Sequence, residues 1–129
     1  MSDLCFKTRM NVPVRGLPKV YFCCHPKDFD VYFDDISNEI LTKQNCSVWY
    51  HGKDDVEYND EFYNNLLQMN LFVVPVTSRF LKKGNVVLEK EFRFAQKHHI
   101  PILPLMQENG LDKKFNEVCG DIQYLDKFN

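Results

Sequence analysis

No uninterrupted apolar run in this sequence approaches the roughly 20 residues that a membrane-crossing helix needs. No apolar stretch of signal-peptide length separates Lys7, Arg9 and Arg15 near its start either. A basic excess is missing too. The chain has 16 Lys and Arg against 18 Asp and Glu, a net charge of −2 and a pI near 6.1. That excludes a protein held to nucleic acid by bulk positive charge. Only five glycines occur, and none falls in a G-x-G-x-x-G or Walker A phosphate loop. The five cysteines (Cys5, Cys23, Cys24, Cys46, Cys119) are odd in number and form no C-x-x-C knuckle, a poor framework for disulfides or a metal. These absences point to a cytosolic chain that meets neither membrane nor nucleic acid.

What remains is a chain of 129 residues and 15.3 kDa, 44% apolar and 26% charged, enough for one core and one domain. Residues 1–18 read as an irregular lead-in broken by Pro13, Gly16 and Pro18. From residue 19 to 129 the chain alternates. Val20-Tyr21-Phe22-Cys23-Cys24 is a continuous apolar run, as in a strand covered on both faces. The adjacent cysteines there read as small core hydrophobes. Asp28 can cap a helix carrying Phe29, Phe33, Ile36 and Ile40 on one face.

Strands are also expected at Ser47-Val48-Trp49-Tyr50, Leu71 to Val76, Ile100 to Met106 and Ile122 to Leu125. Between them lie helices marked by Phe62, Leu66 and Met69, by Leu88, Phe92 and Ala95, and by Leu111, Phe115 and Val118. Strand starts recur every 20 to 30 residues or so, the length of a strand and its crossover helix. The expectation is an α/β, flavodoxin-like three-layer sandwich: five parallel strands, order 2-1-3-4-5, with helices on both faces. Pro75 and Pro104 sit awkwardly within strands. The last strand has no covering helix after it, so a further domain is expected beyond residue 129.

Ligands of such sheets settle beyond the carboxyl ends of the strands, where the strand order reverses. The segments there are Cys24-His25-Pro26-Lys27-Asp28 and Thr77-Ser78-Arg79-Phe80, bordered by loop 51–58. A receiver-type phosphoacceptor site is excluded, because Cys24-His25 replaces the acidic pair and Val76-Thr77 ends the third strand. A flavin phosphate loop is excluded by the lack of glycines and hydroxyls between Cys24 and Asp28.

Several of these segments resemble the Toll/interleukin-1 receptor (TIR) domains, especially the bacterial ones, over roughly residues 19–125. Val20-Tyr21-Phe22-Cys23-Cys24 looks like the family's first strand, and Phe72-Val73-Val74-Pro75-Val76-Thr77-Ser78-Arg79-Phe80-Leu81 like its third. Lys90-Glu91-Phe92-Arg93-Phe94-Ala95 followed by Ile100-Pro101-Ile102-Leu103-Pro104 is similar to its E-x-x-x-A helix and succeeding strand. Where family members often carry an acidic and an aromatic residue, this chain has His51 and Val87.

The resemblance implies an enzyme that cleaves NAD⁺ between nicotinamide and ribose, with Glu91 as the catalytic carboxylate, no metal and no cofactor beyond NAD⁺ as substrate. Nicotinamide leaves as a neutral base, so no general acid is needed. The carboxylate has to steady the ribosyl cation and grip its hydroxyls. The resemblance also implies a role in bacterial antiviral defence and activation by self-association, with loop 51–58 completing a neighbour's pocket.

The expected substrate-binding residues are Cys24, His25, Lys27, Tyr50, Tyr58, Ser78 and Val87. His25 and Lys27 precede a helix start, where an anion such as a diphosphate is favoured, and Tyr58 could stack on a base. Two other readings stand beside this one. The chain could be a non-catalytic TIR interaction module, or an enzyme like the nucleoside deoxyribosyltransferases, which also turn a glutamate on an N-glycosidic bond.

Overall fold

A computed structural model describes residues 6–11, 15–51 and 56–127 of the chain. It is an α/β structure built on a six-stranded, mostly parallel sheet. The strands are β1 (Lys7–Arg9), β2 (Lys19–Phe22), β3 (Ser47–Tyr50), β4 (Leu71–Val76), β5 (Ile102–Met106) and β6 (Leu125–Asp126), in the order β1-β3-β2-β4-β5-β6. Each of the five expected strands has a counterpart in the expected relative order, but the last forms at Leu125–Asp126 rather than over Ile122 to Leu125. The count and the all-parallel pattern are corrected by β1, which pairs antiparallel with β3 at the edge.

That strand lies in the stretch read as an irregular lead-in. Lys7-Thr8-Arg9 is too short and too polar to show a period. It is held by backbone pairing and by Arg9, whose guanidinium donates to Ser37 Oγ (2.9 Å) and lies over the Phe33 ring. Phe6, just before it, is buried against Tyr21 and Phe62. Short charged strands also make poor edges for unwanted pairing.

Both strand prolines sit where they forfeit nothing. Backbone groups of alternate residues point to opposite neighbours. Phe72 N–H points to β5, donating to Pro101 O, and Val73 O points to β2, accepting from Cys23 N. Pro75 therefore faces β2, whose pairing with β4 stops at Phe22–Val73. Pro104 likewise faces β6, whose pairing with β5 starts only at Leu105–Leu125.

The same alternation divides the core in two. Val20, Phe22, Cys24, Val48 and Val73 face α1 (Phe29–Lys43), meeting Phe33, Ile36 and Leu41. Tyr21, Cys23, Phe72, Val74 and Val76 face the other way. There they meet α2 (Asp60–Leu66), α3 (Arg93–Lys97) and α4 (Asp112–Cys119) through Phe62, Leu66, Ala95, Phe115 and Cys119. Cys23, Cys24, Cys46 and Cys119 are all buried free thiols.

On the α1 face, that helix covers β2 and β3. An apolar trough of about 580 Å³ lies beyond it, walled by Ile36, Ile40, Leu71, Leu103, Leu105 and Leu125. Among the described residues no helix is long and apolar enough to cross a membrane.

Candidate active site

The helix that carries Glu91 begins at Asn85. This buried side chain accepts from Val87 N–H (3.1 Å) and donates to Phe80 O (2.9 Å), tying the start to the preceding turn. Residues Leu88–Phe92 then form a π turn, with Arg93 N–H donating to Leu88 O five residues back. The buried positions are Val87 and Leu88, Glu91 and Phe92, then Ala95. They follow the i, i+3, i+4, i+7 spacing of a helix face turned to the core, and the π turn lies within this run. On regular spacing Glu91 falls at the border of core and solvent. In the structure it lies fully inside, at 0% exposure, within the π turn.

A carboxylate there needs partners, and three elements supply them. Tyr21 Oη, from β2, donates to Glu91 Oε1 at 2.5 Å. Tyr58 Oη, from the segment before α2, donates to Oε2 at 2.6 Å. His51 Nε2, at the end of β3, lies 2.9 Å from the same Oε2. In the tautomer protonated at Nε2 the imidazole donates to this oxygen. The other ring nitrogen, His51 Nδ1, is buried with no hydrogen-bond partner among the described residues.

Burial first, and then the charge of Glu91, hold both phenols above their usual 10. They therefore remain donors throughout the neutral range. Cys23 adjoins the same carboxylate, and burial followed by that charge pushes its thiol well above the usual 9.

His51 and Tyr58 are also walls of a cavity of about 450 Å³, with His25, Pro26, Lys27, Val56, Gly84, Asn85, Val86 and Val87. It lies beyond the carboxyl ends of β2 and β3, where the topology predicts a ligand. Glu91 stands directly behind this wall rather than on it. The larger trough lies on the opposite face of the sheet; its floor is aliphatic and its polar lining residues, Glu39, Lys43, Gln44, Asn45 and Asn70, lie away from Glu91 and its partners.

Of the residues expected to bind substrate, His25, Lys27, Tyr58 and Val87 line this cavity. Three others are placed elsewhere. Cys24 turns to the α1 face. Tyr50 is stacked on Phe29 and tilted against Phe33 on that face, at 5.6 and 4.3 Å between ring centroids. Ser78 is exposed, its N–H donating to Glu108 Oε2 (3.0 Å). Of loop 51–58, residues 52–55 lie outside the described residues.

Asp28 does not cap α1. Its buried carboxylate accepts from Thr77 Oγ1 (2.5 Å) and pairs with Arg79 (3.1 Å), locking the ends of β2 and β4 together. The short turn Pro26–Asp28 is capped instead by His25, whose Nδ1 accepts from Lys27 N–H (3.1 Å). Burial is the main influence holding that imidazole below its usual 6.5.

Sequence reasoning missed Tyr21, Cys23 and His51 as parts of the site. Tyr21 and Cys23 face the same side of the sheet, but an unbroken apolar run does not display which side that is. His51 was signalled only by its place at the end of the second strand. Chemically, the arrangement is a desolvated negative charge with fixed donors, set behind a hollow that carries His25 and Lys27 on its rim. No group of three or more His, Cys, Asp or Glu arranged to hold a metal is present among the described residues. Comparison with models of known protein families, with curated proteins and with solved structures gives no match for this chain.

Proposed function

We propose that this chain is a TIR-like domain of flavodoxin-like architecture that cleaves the nicotinamide–ribose bond of NAD⁺. The observation that carries this reading is the placement of Glu91. It is a fully buried carboxylate held by Tyr21, Tyr58 and His51, one turn beyond Val87, behind a cavity at the carboxyl ends of parallel strands.

In the proposed reaction the bond from ribose C1′ to the pyridinium nitrogen breaks, and its electron pair leaves with nicotinamide. The positive charge passes to the ribosyl ring, opposite Glu91. Charge fixed in advance opposite charge that develops is the largest catalytic term such a site can offer. A water or a nucleophile of the adenine then bonds to C1′ and gives up a proton. His25 and Lys27 are suited to the diphosphate, and Val56 and Val87 offer apolar wall to a ring. In this reading the domain is cytoplasmic, serves bacterial antiviral defence and is switched on by self-association through loop 51–58.

A non-catalytic interaction module is the second reading. The enclosure of Glu91, with protein donors on both oxygens, is what favours it. Nicotinamide release from NAD⁺ by crowded or crosslinked protein separates the two. Wild type is expected to release nicotinamide, and Glu91→Gln to do so about 100-fold more slowly or not at all. Equal rates in the two proteins overturn the catalytic reading. Base exchange on deoxynucleosides, with no action on NAD⁺, indicates a deoxyribosyltransferase-like activity instead.

A further inference from the structure

We propose that Tyr58 is a latch on Glu91: its hydroxyl holds the place on Oε2 that a substrate ribose hydroxyl must take, so the described arrangement is the closed state of the site. This rests on the reading of Glu91 as the carboxylate that grips ribose. A carboxylate with a protein donor on each oxygen and no exposed surface reaches no substrate until a donor leaves.

Only one of the three donors is built to leave. Tyr21 is on a central strand, bonded to β3 and β4 on either side, with its ring against Phe6 and Phe72. His51 is buried among Phe6, Tyr21 and Phe62. Tyr58 belongs to no strand or helix and is half-buried. Its ring rests on Phe62 and Tyr63, and it forms part of the cavity wall. Swinging it aside opens Oε2 toward that hollow while Tyr21 and His51 still orient the carboxylate. The exchange is like for like, one hydroxyl donor for another, so the carboxylate never stands unpaired in the interior. The Asn59 side chain, which accepts Phe62 N–H at 2.9 Å, anchors α2 immediately after the latch and marks where such a swing ends.

The test is carried out on the whole chain, with a water-soluble carbodiimide as probe of carboxylate access and mass spectrometry to locate the label. Asp28 is equally buried but bonded to Thr77 and Arg79, so it reports any general loosening. In Tyr58→Phe the ratio of Glu91 to Asp28 labelling is expected to rise about ten-fold, the factor that one charge-assisted hydrogen bond is worth. An unchanged ratio, whether both rates stay or both rise, overturns the latch.

Nicotinamide release is measured on the same proteins. Tyr58→Phe is expected to outpace wild type about ten-fold, and Tyr58→Phe with Glu91→Gln to release none. A slower Tyr58→Phe overturns the latch and makes Tyr58 a positioning residue. A raised labelling ratio with no nicotinamide from any protein supports the latch and overturns the NAD⁺ reading.

Discussion

Among the described residues the interior holds two carboxylates whose partners differ in kind. Glu91 is surrounded by two phenols, an imidazole and a thiol. Asp28 is held by a threonine hydroxyl and the guanidinium of Arg79. Asp28 does structural work. It joins the turn after β2 to the turn after β4, while Thr77 Oγ1 in its turn accepts Phe80 N–H at 3.1 Å. Asp28→Ala strands the buried Thr77 hydroxyl and frees both turns, at an expected cost of about 2–3 kcal/mol. Arg79 is half exposed, its side chain 52% accessible. Arg79→Gln should therefore cost less than about 1 kcal/mol, because solvent already screens that end of the pair. Urea unfolding of the two variants tests the ordering, and an Arg79 variant as damaged as the Asp28 variant would refute it.

At this scale the sequence was only partly readable. Tyr58 is conspicuous as an aromatic residue in a polar loop. Tyr21 is invisible as a site residue, because a tyrosine inside an apolar run reads as core and its partner is 70 positions away. The choice between Cys23 and Cys24 hangs on strand parity, which an unbroken apolar run does not display.

Among the elements, the π turn at Leu88–Phe92 decides the site. One extra residue in a turn leaves no mark on composition; the expected stripe of Leu88, Phe92 and Ala95 is buried as read, and what the sequence does not display is that Glu91 joins it fully inside. The wide turn is what lets Val87 face the cavity and Glu91 face Tyr21 from the same helix. Deleting Lys90 removes the extra residue and lets the turn close to regular α geometry. Glu91 then sits two residues after Leu88, about 200° around the axis and on the solvent side. Helix content by far-UV circular dichroism is expected to hold. The Glu91 to Asp28 labelling ratio should rise above that of Tyr58→Phe, and nicotinamide release should fall to the level of Glu91→Gln. Wild-type release from the deletion variant would show that the wide turn is not needed. Other elements were legible because their signals are long: the apolar runs and the four-residue stripes marked every helix and the parallel strands β2 to β5. The three-residue β1 and the two-residue β6 carry too few residues for any period to register.

Across the whole molecule, parallel topology concentrates ionisable groups in the interior and so fixes how the fold answers to alkali. The side of the sheet toward Glu91 buries Tyr21 and Cys23, and the other side buries Cys24. Burial, reinforced by the charge of Glu91, pushes all three above their usual values of 10 for the phenol and 9 for the thiols. Cys119 is pushed up to about 11, mainly by burial. Below pH 9 the folded and unfolded chains are equally protonated at these groups, and their contribution is fully present. Above it the unfolded chain gives up protons that the native state keeps, so stability falls as pH rises, by about 1.4 kcal/mol per unit for each such group. The two thiols and Tyr21 all act in this direction, so their losses add as the pH rises. With reductant present, the urea midpoint is expected to be level from about pH 7 to 8.5 and to fall progressively past about pH 9.5. Cys24→Val, which keeps an apolar side chain of similar size facing α1, should shift that fall upward by about half a pH unit. A midpoint that is flat through pH 10.5 would mean that these groups ionise within the native fold, and that the interior around Glu91 is wetter than its packing implies.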